Sequence, residues 1–379
     1  MVTQPTTREQ RGQHIAQIDG QIKRIDANTY EVLSQSGHGK YEVLNGSLGW
    51  MCQCPDHIYR GVTCKHIHAV LFSQAVRAEV AVRRIEPITS VTECIYCGST
   101  NFMKKGIRKN KSGNLQKFYC RDCHKYFTFN IGFERMKHNP KAVTVAMQLY
   151  FSGESLRNTA KSLRLIGVEV SYRTVLNWIK KYTRLMENYV EKITPNVSDT
   201  WRADEVYVKI KGDMKYLFAM MDDETRYWIA QEVAETKQKH DARTLFMRAK
   251  RLMGKKPKML ITDGLPSYSK ACEWAFDGTK HIRKITLKGT VHNNNKMERL
   301  NGEIRDREKT MRGLKKRRTT ILRGMQIYHN YIRPHENLNG RTPAEACGIK
   351  VEGKNKWKTL IQHATKDART TNFKATLFN

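Results

Sequence analysis

Eight side chains ahead of residue 124 have the types and spacings of metal ligands. Cys94-x-x-Cys97 and Cys120-x-x-Cys123 stand 22 residues apart, and two such knuckles supply the four thiolates of a closed tetrahedral zinc shell. Ahead of them, Cys52-x-Cys54 is followed after nine residues by Cys64-x-His66. Three thiolates and one imidazole are again a structural zinc set, with His57 and His68 as the nearest rival ligands. A redox role suits a single Cys-x-x-Cys pair, whereas two pairs together favour metal. Small zinc domains are commonly unfolded without the ion, so both zinc ions are expected to be structural. Cys272 and Cys347 lack partner spacing and read as ordinary thiols.

A different chemistry gathers in residues 293–305. In a helix, Met297, Leu300, Ile304 and Met311 share one side, while Glu298, Asn301 and Arg305 share a neighbouring one, because seven residues make nearly two turns. Residues 296–323 carry eleven Lys or Arg against four Asp or Glu. A carboxylate on so basic a helix suits a polyanionic substrate with a metal. A solvated amphipathic surface helix has the same pattern, and this segment alone does not separate the two.

The elements that must position these residues lie in a chain of 379 residues, long enough for several domains. Its 68 Lys and Arg outnumber 36 Asp and Glu, a formal charge of +32 with no single basic tail to account for it. That excess implies a nucleic-acid partner. No apolar run approaches the roughly eighteen residues needed to cross a bilayer, and the N-terminus lacks the apolar stretch of a signal peptide. The expectation is a cytoplasmic, nucleoid-associated protein with no membrane partner.

Residues 1–15 read as a disordered tail. Residues 16–90 read as the first zinc module, with hairpin strands at 29–33 and 40–44, a helix from Ile67 and a charged helical linker at 76–85. Residues 91–134 form the second, with Lys104, Lys105, Arg108, Lys109, Lys111 and Lys117 as a basic face. Residues 139–193 read as three helices, at 142–151, at 155–163 and from Ser171. In the third, Val175, Trp178, Ile179 and Tyr182 make an apolar stripe. Its other side carries Arg173, Asn177, Lys180, Lys181 and Arg184, which favours a helix-turn-helix reader of the major groove over a plain packing domain.

A boundary at Thr194-Pro195-Asn196 precedes strands at 201–210, 215–221 and 227–233, a helix at 239–253 and a strand at 258–262. That order gives a mixed sheet with helices over it. Asp204 lies inside the first strand, where a buried acid costs energy unless it binds something. Asp263 ends the last, and ligand sites gather at the carboxyl ends of such strands. Asp222 and Asp223 read as turn residues, Glu205 points to the face opposite Asp204, and Glu303 lies about 140° round the helix from Glu298.

Asp204, Asp263 and Glu298, the last two separated by 34 residues and followed by Arg305, resemble the signature of DDE transposases of prokaryotic insertion sequences. The resemblance continues through Tyr328-His329-Asn330-Tyr331-Ile332-Arg333-Pro334-His335 and Arg341-Thr342-Pro343-Ala344-Glu345-Ala346. The Cys52 to His66 set resembles a SWIM-type zinc finger, a module of DNA or protein binding that simpler transposases lack. The Cys94 to Cys123 set, with Gly98 and Lys125-Tyr126-Phe127 after its knuckles, looks like a zinc ribbon.

The resemblance implies a multidomain α/β chain. Its ribonuclease-H-like core, shared with retroviral integrases, would be a mixed five-stranded sheet with helices at 198–348, preceded by the two zinc-binding domains and the helix-turn-helix and followed by a basic C-terminal tail at 349–379. Carboxylates from two strands and a helix hold two Mg²⁺, or Mn²⁺, about 4 Å apart, with Asp204 bridging and Asp263 and Glu298 each completing one side. Water would attack at the element end, and the freed 3′-hydroxyl would then attack target DNA. Arg305 and Lys309 would touch the DNA backbone. Joining two ends implies at least a homodimer on double-stranded DNA. A DNA-binding regulator with an idle core and a metal-dependent nuclease that never joins are the alternatives.

Overall fold

The computed structural model describes residues 7–377 except 19, 27, 36–38, 47–48, 80–82, 111–112, 135, 284–294, 312–313 and 315–318, with the backbone alone at 17, 74–79, 311 and 371–377. Of the residues singled out above, Lys111, Asn293, Asn294 and the side chain of Met311 lie outside this set. The chain divides into two compact units, Met1–Val82 with Gly289–Val291 and Glu336–Gly340, and Arg83–Lys288 with His292–His335 and Arg341–Asn379.

The first unit runs α1 (Arg8–Gln17), β1 (Ile22–Arg24), β2 (Thr29–Leu33), β3 (Lys40–Gly46), β4 (Gly49–Cys52), α2 (Pro55–Arg60) and α3 (Lys65–Glu79). The four strands form an antiparallel sheet in chain order. Residues 8–17 are a helix, where residues 1–15 were expected to be a disordered tail. Thr7 and Gln10 close a capping box at its start, and Ile15 is fully buried with Val32, Val43 and Val70. The approach to α3 is so close that a Cβ on Gly12 would stand 2.5 Å from the Cβ of His68. Two small contacts among polar residues are easily missed in the sequence.

The second unit opens with β5 (Arg83–Ile85), β6 (Phe102–Asn110), β7 (Gly113–Cys120) and β8 (Tyr126–Thr128), the last three forming an antiparallel sheet. Three helices follow, α4 (Pro140–Ser152), α5 (Leu156–Leu165) and α6 (Tyr172–Val190). Asn139, Ser155 and Ser171 cap them with side-chain oxygens. The apolar stripe of α6 is buried, and Arg173, Asn177, Lys180, Lys181 and Arg184 are exposed.

Next come β9 (Thr200–Ile210), β10 (Asp213–Asp222), β11 (Trp228–Ala234), α7 (Lys239–Met253), β12 (Met259–Thr262), α8 (Pro266–Ala275), β13 (Lys280–Arg283) and α9 (Asn295–Met311). The sheet order is β11-β10-β9-β12-β13. Its first three strands are antiparallel, and β12 and β13 run parallel to β9. This is the mixed five-stranded sheet of a ribonuclease-H-like core. On one face α7 and α8 seal it with Tyr268, Phe246 and Phe276, whose rings stack at 5.9 and 5.1 Å. Met297, Leu300 and Ile304 of α9 are buried, as the helical spacing requires.

The chain ends with α10 (Thr320–Ile327), a π turn (Tyr328–Ile332), α11 (Pro343–Ala346), β14 (Ile349–Val351) and α12 (Lys356–Leu377). The segment expected as a helical linker gives up its helix by Glu79, and Arg83–Ile85 pairs in parallel with β14. Ile85, Ile349 and Val351 are buried there, a gain a solvated helix would forgo. The basic C-terminal tail is likewise anchored, because Trp357, Leu360, Ile361 and Ala364 bury one side of α12 and Trp357 stacks on Phe151 at 5.5 Å. Among the described residues no helix is long and apolar enough to cross a membrane.

Candidate active site and metal centres

Strand ends and helix starts gather the sulfur ligands. Cys52 ends β4, Cys54 caps α2, and Cys64 and His66 flank the start of α3. One ligand atom from each lies within 4.8 Å of the others. His66 Nδ1 is 3.8 Å from Cys52 Sγ and 4.0 Å from Cys64 Sγ. In the second cluster Cys94 and Cys123 are 3.7 Å apart, and Cys97 and Cys120 are 3.6 Å apart. A zinc tetrahedron with arms of about 2.3 Å has edges of about 3.8 Å, so donors and spacing both fit the ion. Neither rival histidine joins the first group, and His57 Nδ1 is 2.8 Å from the Val62 carbonyl. Cys272 is buried outside both clusters, and the Cys347 thiol donates to Thr225 Oγ1.

The acidic residues meet where the sheet splits. The ladder between β9 and β12 ends at Arg202 and Ile261, leaving the carboxylates of Asp204 and Asp263 on either side of the gap. Oxygens of Asp204, Glu205 and Asp263 lie within 4.8 Å of one another. Burial, then the charges of Glu205 and Asp263, push the Asp204 carboxyl up to about 7. Burial also raises Asp263, although the Leu265 amide bonds it at 3.1 Å. Asp204 accepts from the Glu205 amide and from Asn301 Nδ2 of α9, both at 2.9 Å. Glu298 is exposed one helical turn before Asn301 and stands outside the 4.8 Å group, although its charge adds to the push on Asp204.

Glu205 needs a correction. Strand alternation sends it to the face opposite Asp204, yet one of its oxygens lies within 4.8 Å of the Asp204 and Asp263 carboxylates. There Lys237 Nζ and the Tyr268 hydroxyl each bond it at 2.8 Å. Neither partner was visible in the sequence, since both come from elements far along the chain.

Two further networks seat α9. Asp222 is the buried turn anchor expected of it, accepting from Ser198 and Thr225. Asp223 does more than turn. It pairs with Arg202 on β9 and, at 2.8 Å, with Lys296 in the first turn of α9. Asp223→Ala would take an ion-pair partner from a guanidinium that is only 4% exposed. We expect a loss of about 3–5 kcal/mol, read from the denaturant midpoint.

Farther along α9, Glu303 bonds Arg333 at 2.7 Å and His329 at 3.4 Å. Burial alone would raise its carboxyl, but His329, Arg333 and His335 outweigh burial and bring it to about 2. Burial, then the neighbouring His329, lowers His335 to about 4. An unfolded histidine titrates near 6.5, so between about 6.5 and 4 the unfolded chain binds the extra proton. Stability is therefore full above that window and falls by about 3 kcal/mol as pH drops through it. In His335→Asn the urea midpoint should vary less with pH across that range.

Arg305 and Lys309 are both exposed on α9, and Lys309 is 3.4 Å from Asp306. Residues 198–335 match a family described as a DDE domain. The transposase for insertion sequence-like element IS431mec of Staphylococcus aureus (strain N315) is 28% identical over 229 residues, covering 57% of this chain and 97% of the relative. Insertion element iso-IS1N protein InsA of Shigella dysenteriae is 33% identical over 84 residues, 22% of this chain and 87% of InsA. Among solved structures, the HTLV-2 integrase catalytic core domain in complex with magnesium is 19% identical, with a TM-score of 0.32 over 41% of this chain and 98% of that one. The BIV integrase catalytic core domain is 14% identical, with a TM-score of 0.30 over 40% and 93%. At those TM-scores the sheet order, not the superposition, carries the fold. The chain belongs to the DDE transposases of insertion sequence elements, a class of polynucleotidyl transferases.

Proposed function

We propose that this transposase cuts DNA at the ends of its insertion element and joins the freed 3′-hydroxyl to target DNA, both by in-line phosphoryl transfer at Asp204, Asp263 and Glu298. The observation that carries the reading is the meeting of Asp204 and Asp263 at the β9–β12 split, beside a helix that presents Glu298 and a basic surface. Carboxylates held together against burial and mutual repulsion are an all-oxygen set suited to Mg²⁺, with Mn²⁺ as a substitute. A bound pair of ions would activate the attacking oxygen and stabilise the leaving one.

The chain's own residues supply position. Asn301 and the Glu205 amide orient Asp204. Glu205 has both oxygens committed to Lys237 and Tyr268, so it is a positioning group, and Glu298 is the third acid. Arg305 and Lys309 hold the DNA backbone, contributing register rather than sequence choice. Arg173, Asn177, Lys180 and Lys181, all exposed on α6, read the element end. Cys52, Cys54, Cys64 and His66 hold one structural zinc in a SWIM-type module, and Cys94, Cys97, Cys120 and Cys123 hold the other in a ribbon. The working form is at least a dimer on double-stranded DNA, in the cytoplasm at the nucleoid.

A strand-transfer assay tests this, using purified protein, Mg²⁺ and duplexes from the DNA flanking its gene. Joined products are expected. Binding to those ends with neither cutting nor joining, in Mg²⁺ or Mn²⁺, would make the chain a regulator. Cutting without joining would make it a nuclease.

A further inference from the structure

We infer that Tyr207 and Tyr216 form a stacking platform for a base of the DNA strand entering the acidic site, an inference that rests on the transposase reading above. Along β9, Trp201, Glu205 and Tyr207 share one sheet face. Helices α7 and α8 cover that face as far as Glu205, which takes the Tyr268 hydroxyl. Tyr207 lies just beyond the cover and is 46% exposed. Tyr216 stands directly opposite it on β10, with ring centroids 4.8 Å apart.

Lys237 Nζ stands 4.9 Å from both rings while bonded to Glu205 at 2.8 Å. One cation therefore ties the ring pair to the edge of the acid cluster. An exposed ring, Tyr207, beside a half-buried one, Tyr216, with a lysine over both, supplies the components of a base-stacking surface, since every base has a π-face. Lys209 and Lys211 are exposed farther along the same hairpin. That charge selects nucleic acid over an apolar peptide. Tyr207 is two residues beyond Glu205, about 6.6 Å of strand, which matches about two stacked nucleotides at 3.4 Å each.

The test uses the full-length protein and a duplex from the DNA flanking its gene, with 2-aminopurine placed in turn at each base beside the cut. Fluorescence is read in the Glu298→Gln background so that binding is observed without cutting. A change is expected at one position within about two or three nucleotides of the cut. It should be lost in Tyr207→Ala and kept in Tyr207→Phe and Tyr207→Trp. In otherwise wild-type protein, Tyr207→Ala should cut about tenfold more slowly, with a melting midpoint lowered by no more than about 2–4 °C, the scale of one half-exposed aromatic pair. A response and cutting rate in Tyr207→Ala equal to wild type would overturn the inference, as would Tyr207→Phe losing as much as Ala. Failure of the wild type itself to cut in Mg²⁺ or Mn²⁺ would overturn the transposase reading, and this inference with it.

Discussion

Asp263→Asn is expected to lower both cutting and joining by about a thousandfold or more, roughly 4 kcal/mol of transition-state stabilisation, with end binding kept within a few fold. The two steps should fall together, because the proposed mechanism makes both the same displacement at phosphorus. Glu298→Gln should fall as far, and it is the cleaner variant, because an exposed residue carries no packing role. Asp204→Asn adds a second signature. Its carboxyl is raised to about 7 by burial and by neighbouring acids, so above pH 7 the metal-free protein holds a charge that costs stability. Removing it should raise the melting midpoint even as activity collapses, the opposed signs of a site strained for function. Glu205→Gln should behave differently, with cutting reduced by about tenfold, since its role is to hold Lys237 and Tyr268. Single-turnover cutting of an end-labelled duplex, beside a gel-shift titration, separates these cases. An Asp263→Asn protein that cuts within tenfold of wild type would remove that residue from the site.

Removal of the two proposed zinc ions is the other large expected effect, and it should strike the two clusters unequally. The ribbon buries little besides its own ligands, with Cys94, Phe118, Cys120 and Phe127 as its core. So small a cluster cannot repay the ordering of its strands. Loss of about 10–16 kcal/mol of ion binding should melt it outright. The first unit also buries Ile15, Tyr30, Val32, Val43, Ile67 and Val70 and should keep part of its sheet. Thiol labelling under chelator, resolved by peptide, should show Cys97 and Cys120 reacting well before Cys52 and Cys64. Equal rates in all four would contradict the difference in core size. Cys120→Ser should reproduce the ribbon's loss and weaken end binding without touching the acidic site.

The legible parts of this molecule were those with local patterns. The stripe of Val175, Trp178, Ile179 and Tyr182 and the seat of Met297, Leu300 and Ile304 follow from helical spacing. The sulfur clusters follow from ligand chemistry, and four of the five core strands from alternating elements, whereas the short β13 at Lys280–Arg283 left no such pattern. What escaped was set by contacts distant in sequence. Asp223 looked like a turn residue because Arg202 and Lys296 meet it only in the folded sheet. Glu205 was assigned by strand alternation, which cannot register that β12 leaves β9 at Arg202. The helix at 8–17 escaped because its stability comes from close approach at Gly12, which leaves no periodic signal.

The parallel pairing of β5 with β14 has a bearing on how the chain is made. Arg83 meets Ile349, so the partner strand is 266 residues away. At roughly 5–20 residues per second, a ribosome takes about 13–50 s to deliver it. For that interval the nascent β5 has an open edge and Ile85 lacks the partner strand that buries it. A chaperone, or early folding of the ribbon that follows it, would have to shield that edge. Truncation before Ile349 would make the exposure permanent, so shortened chains of this transposase should aggregate even when Asp204, Asp263 and Glu298 are all present.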